Sequence, residues 1–198
     1  MFTGIITHMA QVSARHDKTG GLVMTVQKPA DWTDLELGES IATNGACLTV
    51  SKIREASYDY YLMPETLTKT AFGSKVPERV NLERSLSAED RFGGHFMQGH
   101  VDDVGTVAKI DQHNGYTISV EFPADFAELV IYKGSIAING ASLTVASVQG
   151  NILTVALIPH TLEHTTLGSL KPGDKVNLEF DMLGKYVAKI MATRKKND

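Results

Sequence analysis

The sequence predicts an all-β protein built from two tandem copies of one small barrel, closed by a single C-terminal helix. Three observations carry that expectation: an internal repeat, turn signals about every ten residues, and an apolar stripe of helical period at the end of the chain. The repeat is the strongest. Ser40-Ile41-Ala42-Thr43-Asn44-Gly45-Ala46-Cys47-Leu48-Thr49-Val50 recurs as Ser135-Ile136-Ala137-Ile138-Asn139-Gly140-Ala141-Ser142-Leu143-Thr144-Val145, with nine of eleven positions identical at an offset of 95. The same offset pairs Met63-Pro64-Glu65-Thr66-Leu67 with Ile158-Pro159-His160-Thr161-Leu162, Gly4-Ile5-Ile6 with Gly99-His100-Val101, Val12 with Val107 and Gly73 with Gly168. It slips to 96 where Val80-Asn81-Leu82-Glu83 meets Val176-Asn177-Leu178-Glu179. Self-similarity held in one register marks a duplicated unit. The 198 residues divide into copies at 1–92 and 93–181 and a tail at 182–198.

Each copy reads as strands and turns. Ser40 to Thr43 and Ala46 to Ile53 are short, β-branched runs broken by Asn44-Gly45, a pair that tolerates positive φ and so signals a hairpin. Asn114-Gly115 sits in the same way between Val107–Ile110 and Tyr116–Phe122, and Gln149-Gly150-Asn151 separates Leu143–Val145 from Ile152–Leu157. Frequent turns with little helix favour small closed barrels. Residues 30–35 and 124–129 occupy equivalent slots and are expected to form a helical turn or two. In the tail, Leu183, Tyr186, Val187, Ile190 and Met191 fall at i, i+3, i+4, i+7 and i+8, which predicts an amphipathic helix over Met182 to Met191. Its stripe either packs on the preceding barrel or meets another chain.

Composition removes several function classes. Hydrophobic residues make up 42% and charged residues 21%, ordinary values for a folded domain, and the net charge of −4 leaves no basic face for nucleic acid. The terminal run Arg194-Lys195-Lys196 reads as a solvated tail. A single cysteine cannot form an internal disulfide, no leader pattern opens the chain, and no apolar run reaches membrane-spanning length; a soluble cytoplasmic protein is expected. There is no phosphate-binding glycine loop, no dinucleotide fingerprint and no serine-hydrolase elbow.

Three mismatches inside the repeat bear on chemistry: Cys47 against Ser142, Ile5 against His100, and Glu65 against His160. Each changes a nucleophile or titratable group within a matching motif. A cysteine beside Leu-Thr-Val is commonly just a small buried strand residue; its place in a duplicated motif favours function. Gly93-Gly94-His95-Phe96-Met97-Gln98-Gly99-His100-Val101-Asp102 is the most glycine-dense segment and lies between the copies, where backbone can approach a ligand. His95 and His100, five apart, do not suit a zinc site, and His160 with His164 is too sparse a pattern to argue for a metal. His100 is the better acid/base candidate, since imidazole exchanges protons near neutrality.

Together, Met1-Phe2-Thr3-Gly4-Ile5-Ile6, the paired Asn-Gly-Ala-[Cys/Ser]-Leu-Thr-Val motifs, the Gly93–Asp102 segment and Ile158-Pro159-His160-Thr161-Leu162-Glu163-His164-Thr165-Thr166 resemble the α-type riboflavin synthase family. The likeness spans nearly the whole chain. It implies two six-stranded Greek-key β-barrels and a C-terminal helix that joins three chains into a homotrimer. It also implies dismutation of two molecules of 6,7-dimethyl-8-ribityllumazine to riboflavin and 5-amino-6-ribitylaminouracil, with no cofactor or metal, and association with lumazine synthase.

Carried over by position, the resemblance implies a first pocket of Gly4, Ile5 and Ile6, then Cys47, Leu48 and Thr49, then Tyr61, Leu62, Met63, Pro64, Glu65 and Thr66. The second uses Gly99, His100 and Val101, then Ser142, Leu143 and Thr144, then Ala156, Leu157, Ile158, Pro159, His160 and Thr161, with Lys133 reaching in from a neighbouring chain. Glu65 and Thr49 would hold ribityl hydroxyls. His100 with Ser142 would move the proton of the acidic C7 methyl, and Cys47 would act beside the partner substrate as a nucleophile. Some members of the family carry Asp where this chain has Asn139, and an amide cannot serve as a carboxylate base. Two other readings are a non-catalytic lumazine- or flavin-carrying antenna protein of the same family and a flavin-reductase barrel. The joint presence of Cys47, His100 and Ser142 favours the enzyme, and no nicotinamide-binding domain follows.

Overall fold

Strands β1 (His8–His16), β2 (Leu22–Gln27), β3 (Ser40–Thr43), β4 (Ala46–Ile53), β5 (Ser57–Leu62) and β6 (Arg79–Arg84) close into an antiparallel barrel in the order β1-β2-β5-β4-β3-β6. The second copy supplies β7 (Asp103–Asp111), β8 (Tyr116–Glu121), β9 (Ser135–Ile138), β10 (Ala141–Gln149), β11 (Ile152–Leu157) and β12 (Lys175–Phe180), whose cyclic order β10-β11-β8-β7-β12-β9 traces the same Greek-key path. Short helices α1 (Pro64–Lys69) and α2 (Pro159–His164) occupy equivalent places, and α3 (Met182–Arg194) ends the fold. The computed structural model describes residues 1–16 and 20–194, the side chains of 15 and 16 aside. The end of the basic run, from Lys195 on, lies outside the described residues. Closure leaves no free strand edge, which suits sheets this short.

Local chemistry accounts for these elements. Asn44 and Gly45 adopt φ of 43° and 79°, and Asn139 and Gly140 adopt 45° and 79°, so both Asn-Gly pairs form the primed turns that match strand twist. Strict alternation in β2 buries Leu22, Met24 and Val26; in β8 it buries Ile118 and Val120. Each barrel encloses its own core. In the first, the buried Tyr60 hydroxyl accepts from Thr43 Oγ1 at 3.0 Å and donates to Tyr58 Oη at 3.3 Å, so neither ring strands a polar tip. The slots at 30–35 and 124–129 differ: the second is a 3₁₀ helix, whereas the first is a chain of turns around the buried Trp32, which stacks on Tyr58.

The barrels meet through four buried asparagines. Asn81 Nδ2 donates to the Asn139 carbonyl at 2.9 Å, and Asn177 Nδ2 donates to the Asn44 carbonyl at 2.8 Å. Their Oδ1 atoms accept from the backbone of the opposite copy, Asn81 from Thr166 N and Asn177 from Ala71 N, both at 2.7 Å. Asn44 and Asn139 in turn accept from the amides of Asn81 and Asn177 within their own barrels. Asn139 is therefore a mirror of Asn44 in a structural lattice.

The α3 stripe does not pack on its own barrel: Leu183, Tyr186, Val187, Ile190 and Met191 are 51–61% exposed. The helix is held instead by Lys185, whose Nζ lies 2.6 Å from Asp102 Oδ2, and by Gly184 against Leu129.

Replacing Asn177 by Leu removes the partners of the half-buried Ala71 amide and of the buried Asn44 carbonyl. At about 1–3 kcal/mol for each group left unpaired, urea denaturation is expected to show a loss of roughly 2–6 kcal/mol with an unchanged m-value.

Candidate active site

The segments that precede β1 and β7 cross between the barrels. Ser142 N donates to Gly4 O at 2.9 Å, and Ile6 packs on the second core; reciprocally, Cys47 N donates to Gly99 O at 2.8 Å, and Val101 packs on the first core. Phe2 and Met97, equivalent by the repeat, pair with each other in an antiparallel bridge and are fully buried. With Ala42, Ala137 and the flank of Cys47 they form a small third core between the barrels.

Each crossing is pinned by a buried carboxylate. Glu83 accepts from Thr3 N and Thr3 Oγ1, both at 2.7 Å, and from Gly4 N at 2.9 Å; Glu179 accepts from Gln98 N at 2.7 Å and Gly99 N at 3.0 Å. Burial raises both carboxyl pKa values above the ordinary Glu range, and the hydrogen bonds they accept pull the other way. Gly4 and Gly99 themselves have φ of 80° and 75°, and a Cβ on either would lie 2.6 Å from Ser142 Cβ or Cys47 Cβ respectively. These two glycines are required both by conformation and by space.

This exchange corrects the pocket assignments. Gly4, Ile5 and Ile6 belong with Ser142 on the second barrel, and Gly99, His100 and Val101 belong with Cys47 on the first. His100 and Ser142 are consequently on different pockets of one chain, and the expected proton-transfer pair is not assembled there. The imidazole at Ser142 is His95, whose Nδ1 lies 2.7 Å from Ser142 Oγ. The His95 amide donates to Thr3 O at 3.1 Å, which locks the ring beside the crossing segment. Burial lowers the pKa of His95 below the usual imidazole value, with the Asp181 charge opposing. Its Nε2 is buried and has no partner among the described residues. Sequence reasoning weighed His95 only as a metal ligand; its signal was its place in the glycine-dense segment.

The remaining predicted positions form matching walls. Leu48 and Leu62 are buried, Cys47 and Thr66 half-buried, and Thr49, Tyr61, Met63, Pro64, Glu65 and His100 exposed. On the second barrel Leu157 is buried, Ser142, Leu143 and Thr161 half-buried, and Thr144, Ala156, Ile158, Pro159 and His160 exposed. Met63 and Ile158, equivalent by the repeat, are both large, apolar and more than half exposed. His160 and His164 stack on each other, centroids 4.1 Å apart, with His164 Nδ1 2.9 Å from the His160 carbonyl. Lys133 stands on an exposed loop with φ of 65° and its Nζ over the Tyr132 ring. An open cleft of about 750 Å³ runs between the loops after α1 and α2, floored by Asn44 and Asn139. None of the predicted binding residues lines it.

Two like barrels, each offering a wall of half-buried polar and exposed apolar groups at the same register, define a duplicated small-ligand-binding protein. The lumazine binding domain family matches twice, over residues 3–85 and 98–181. The chain belongs to the riboflavin synthase family. It is 41% identical to the riboflavin synthase of Mycobacterium bovis over 96% of this chain and 98% of that one, and 39% identical to that of Actinobacillus pleuropneumoniae over 96% and 90%. The Bacillus subtilis riboflavin synthase is 34% identical over 100% of this chain and 93% of its own length. In fold, the chain is similar to LumP complexed with 6,7-dimethyl-8-(1'-D-ribityl) lumazine, with a TM-score of 0.81 at 24% identity over 91% of this chain and 99% of that one.

Gly99→Ala is expected to lose several kcal/mol of stability, since it combines a strained φ with a backbone and side-chain clash; a melting-temperature shift checks this. A second expectation follows from the raised pKa of Glu179. Between the unfolded Glu value and the raised folded value, the folded state binds more protons, so this group's contribution to stability falls as pH rises through that window. Denaturation at a series of pH values should show wild type losing more stability across it than Glu179→Gln.

Proposed function

We propose that this chain is a riboflavin synthase that converts two molecules of 6,7-dimethyl-8-ribityllumazine into riboflavin and 5-amino-6-ribitylaminouracil. One substrate gives up a four-carbon unit, C6 and C7 with their methyl carbons, and the other receives it. The reaction balances between its two identical substrates and needs no external oxidant or reductant. The observation that carries this reading is the doubled pocket, alike in walls and unlike in chemistry, with Cys47 and His100 on one copy and Ser142 with His95 on the other. A dismutation needs two sites for one molecule in two roles, and holding the pair in register supplies much of the rate.

Within one chain the fully buried Phe2–Met97 layer stands between the pockets. The reading therefore places the reacting pair between neighbouring chains, the first pocket of one facing the second pocket of the next. A homotrimer joined through the exposed α3 stripe suits this arrangement, with Lys133 reaching across from its exposed loop. In that setting His100 takes or returns the C7 methyl proton, Cys47 sits beside the partner substrate as a nucleophile, and Thr49 and Glu65 hold ribityl hydroxyls. The chain works in the cytoplasm in this reading, beside the lumazine synthase that would make its substrate. Among the described residues no helix is long and apolar enough to cross a membrane.

The test is incubation of purified protein with the lumazine alone, followed by absorbance of the flavin product. Riboflavin should appear at half the molar amount of lumazine consumed. Cys47→Ala and His100→Ala should each cut turnover at least tenfold with circular dichroism unchanged. Stoichiometric binding with no riboflavin would favour the antenna reading and overturn this one.

A further inference from the structure

The pair formed by His95 and Ser142 contains an asymmetry that the shared walls do not explain. A neutral imidazole carries one N–H, and the two ring nitrogens of His95 meet different surroundings: Nδ1 has Ser142 Oγ at 2.7 Å, while Nε2 is buried with no partner. If the proton sat on Nε2, a buried N–H donor would be orphaned; if it sits on Nδ1, the unpaired atom is only a lone pair. Orphaned donors are the rarer and costlier case. The serine oxygen then accepts from the ring, and its own hydrogen has no acceptor among the described residues.

We propose that His95 is a positioning residue, protonated at Nδ1, that donates to Ser142 Oγ and so turns the serine hydroxyl outward as a hydrogen-bond donor to an acceptor atom on the ring edge of the ligand in the second pocket. Ser142 is half-buried, its backbone amide is spent on Gly4 O, and the crossing segment with the exposed Ile5 lies beside it, so the hydroxyl's remaining direction is the pocket. The ligand class this selects is a planar heteroaromatic ring with a carbonyl or bare ring nitrogen at that edge. Burial keeps the imidazole neutral, consistent with a fixed donor and not with a base that takes up a proton from the serine. The first pocket lacks this device. Cys47 presents a thiol, a weak donor, with no side-chain hydrogen bond among the described residues. The proposal rests on the second pocket being a ligand site, as argued above, and it assigns Ser142 to recognition instead of proton transfer.

The tautomer is testable without any ligand. Long-range ¹H–¹⁵N correlation spectra of the free protein, with the His95 signals assigned by their loss in His95→Asn, should show Nδ1 protonated and Nε2 bare; the reverse pattern overturns the proposal. Riboflavin binding, followed by flavin fluorescence, supplies the second arm. Ser142→Ala should weaken one class of site about tenfold, as for a lost hydrogen bond. His95→Leu should weaken it similarly in the wild-type background and less than twofold in the Ser142→Ala background, because a residue acting through another adds nothing once the other is gone. Additive losses overturn the assignment. His95→Asn, which keeps a donor near the Nδ1 position, should bind within threefold of wild type; a loss as large as that of Leu overturns it too. If the Leu variant fails to fold, the tautomer and the Asn variant decide. Absence of riboflavin binding by wild type would instead refute the proposed function.

Discussion

Gly45 and Gly140 face each other backbone to backbone: a Cβ on the first would lie 2.8 Å from Gly140 N, and one on the second 2.6 Å from Gly45 N. This contact between two primed turns sets the distance at which the barrels stand, and much of the architecture follows from it. At that separation the carbonyls of Asn44 and Asn139 come within reach of the side chains of Asn177 and Asn81 from the opposite copy. Any side chain at either glycine would push the barrels apart and break the four asparagine hydrogen bonds between the copies. Amide groups suit the place because each donates and accepts at once and carries no charge to desolvate.

The same closeness makes the crossing segments possible. With the barrels in contact, residues 2–6 need only pass the axis to add their backbone to β10, and residues 97–101 to add theirs to β4. Each proposed pocket is then composite, its walls from one copy and its edge from the other. Glu83 and Glu179 hold the edges at a cost, since both carboxylates are desolvated; the backbone amides they bind, the Thr3 hydroxyl and the charges of the N-terminus and Lys185 offset it. The Lys185–Asp102 pair ties α3 to the segment that carries His100, which joins the exposed apolar stripe to the first pocket through a single short run of chain.

The duplication was legible because its signal is identity, nine positions of eleven, and the hairpins because Asn-Gly has one dominant meaning between short strands. The α3 helix was legible from its period, although the structure carries it to Arg194, a turn beyond Met191. The crossing was not legible. Gly4 and Gly99 are equivalent, as are Cys47 and Ser142, so the repeat is equally satisfied whether each segment stays home or is exchanged; only three-dimensional closeness separates the two. Asn44 was read as a turn residue and Asn177 only as part of the repeat, since a local pattern cannot report a partner some 133 residues away. His95 was missed for a related reason: its importance lies in meeting Ser142, 47 residues on in the same copy, within a motif that looked complete without it.

That last contact shows how a near-symmetric frame comes to treat two identical molecules differently. The repeat makes the pocket walls alike, so they alone cannot assign roles. What differs is small: a thiol with no side-chain hydrogen bond among the described residues in one copy, and a hydroxyl beside a buried imidazole in the other. The flank of the Cys47 thiol packs on Phe2 and Met97, and a thiol is a weak hydrogen-bond donor, poor at holding a ring in register. A hydroxyl with a fixed hydrogen does the opposite: it offers little nucleophilicity but favours one orientation of a polar ring edge. The asymmetry arises from one position of the repeated strands, Cys47 against Ser142, and from His95 in the linker before the second crossing. One strand substitution together with one linker residue therefore distinguishes the two copies while leaving their buried asparagine lattice unaltered.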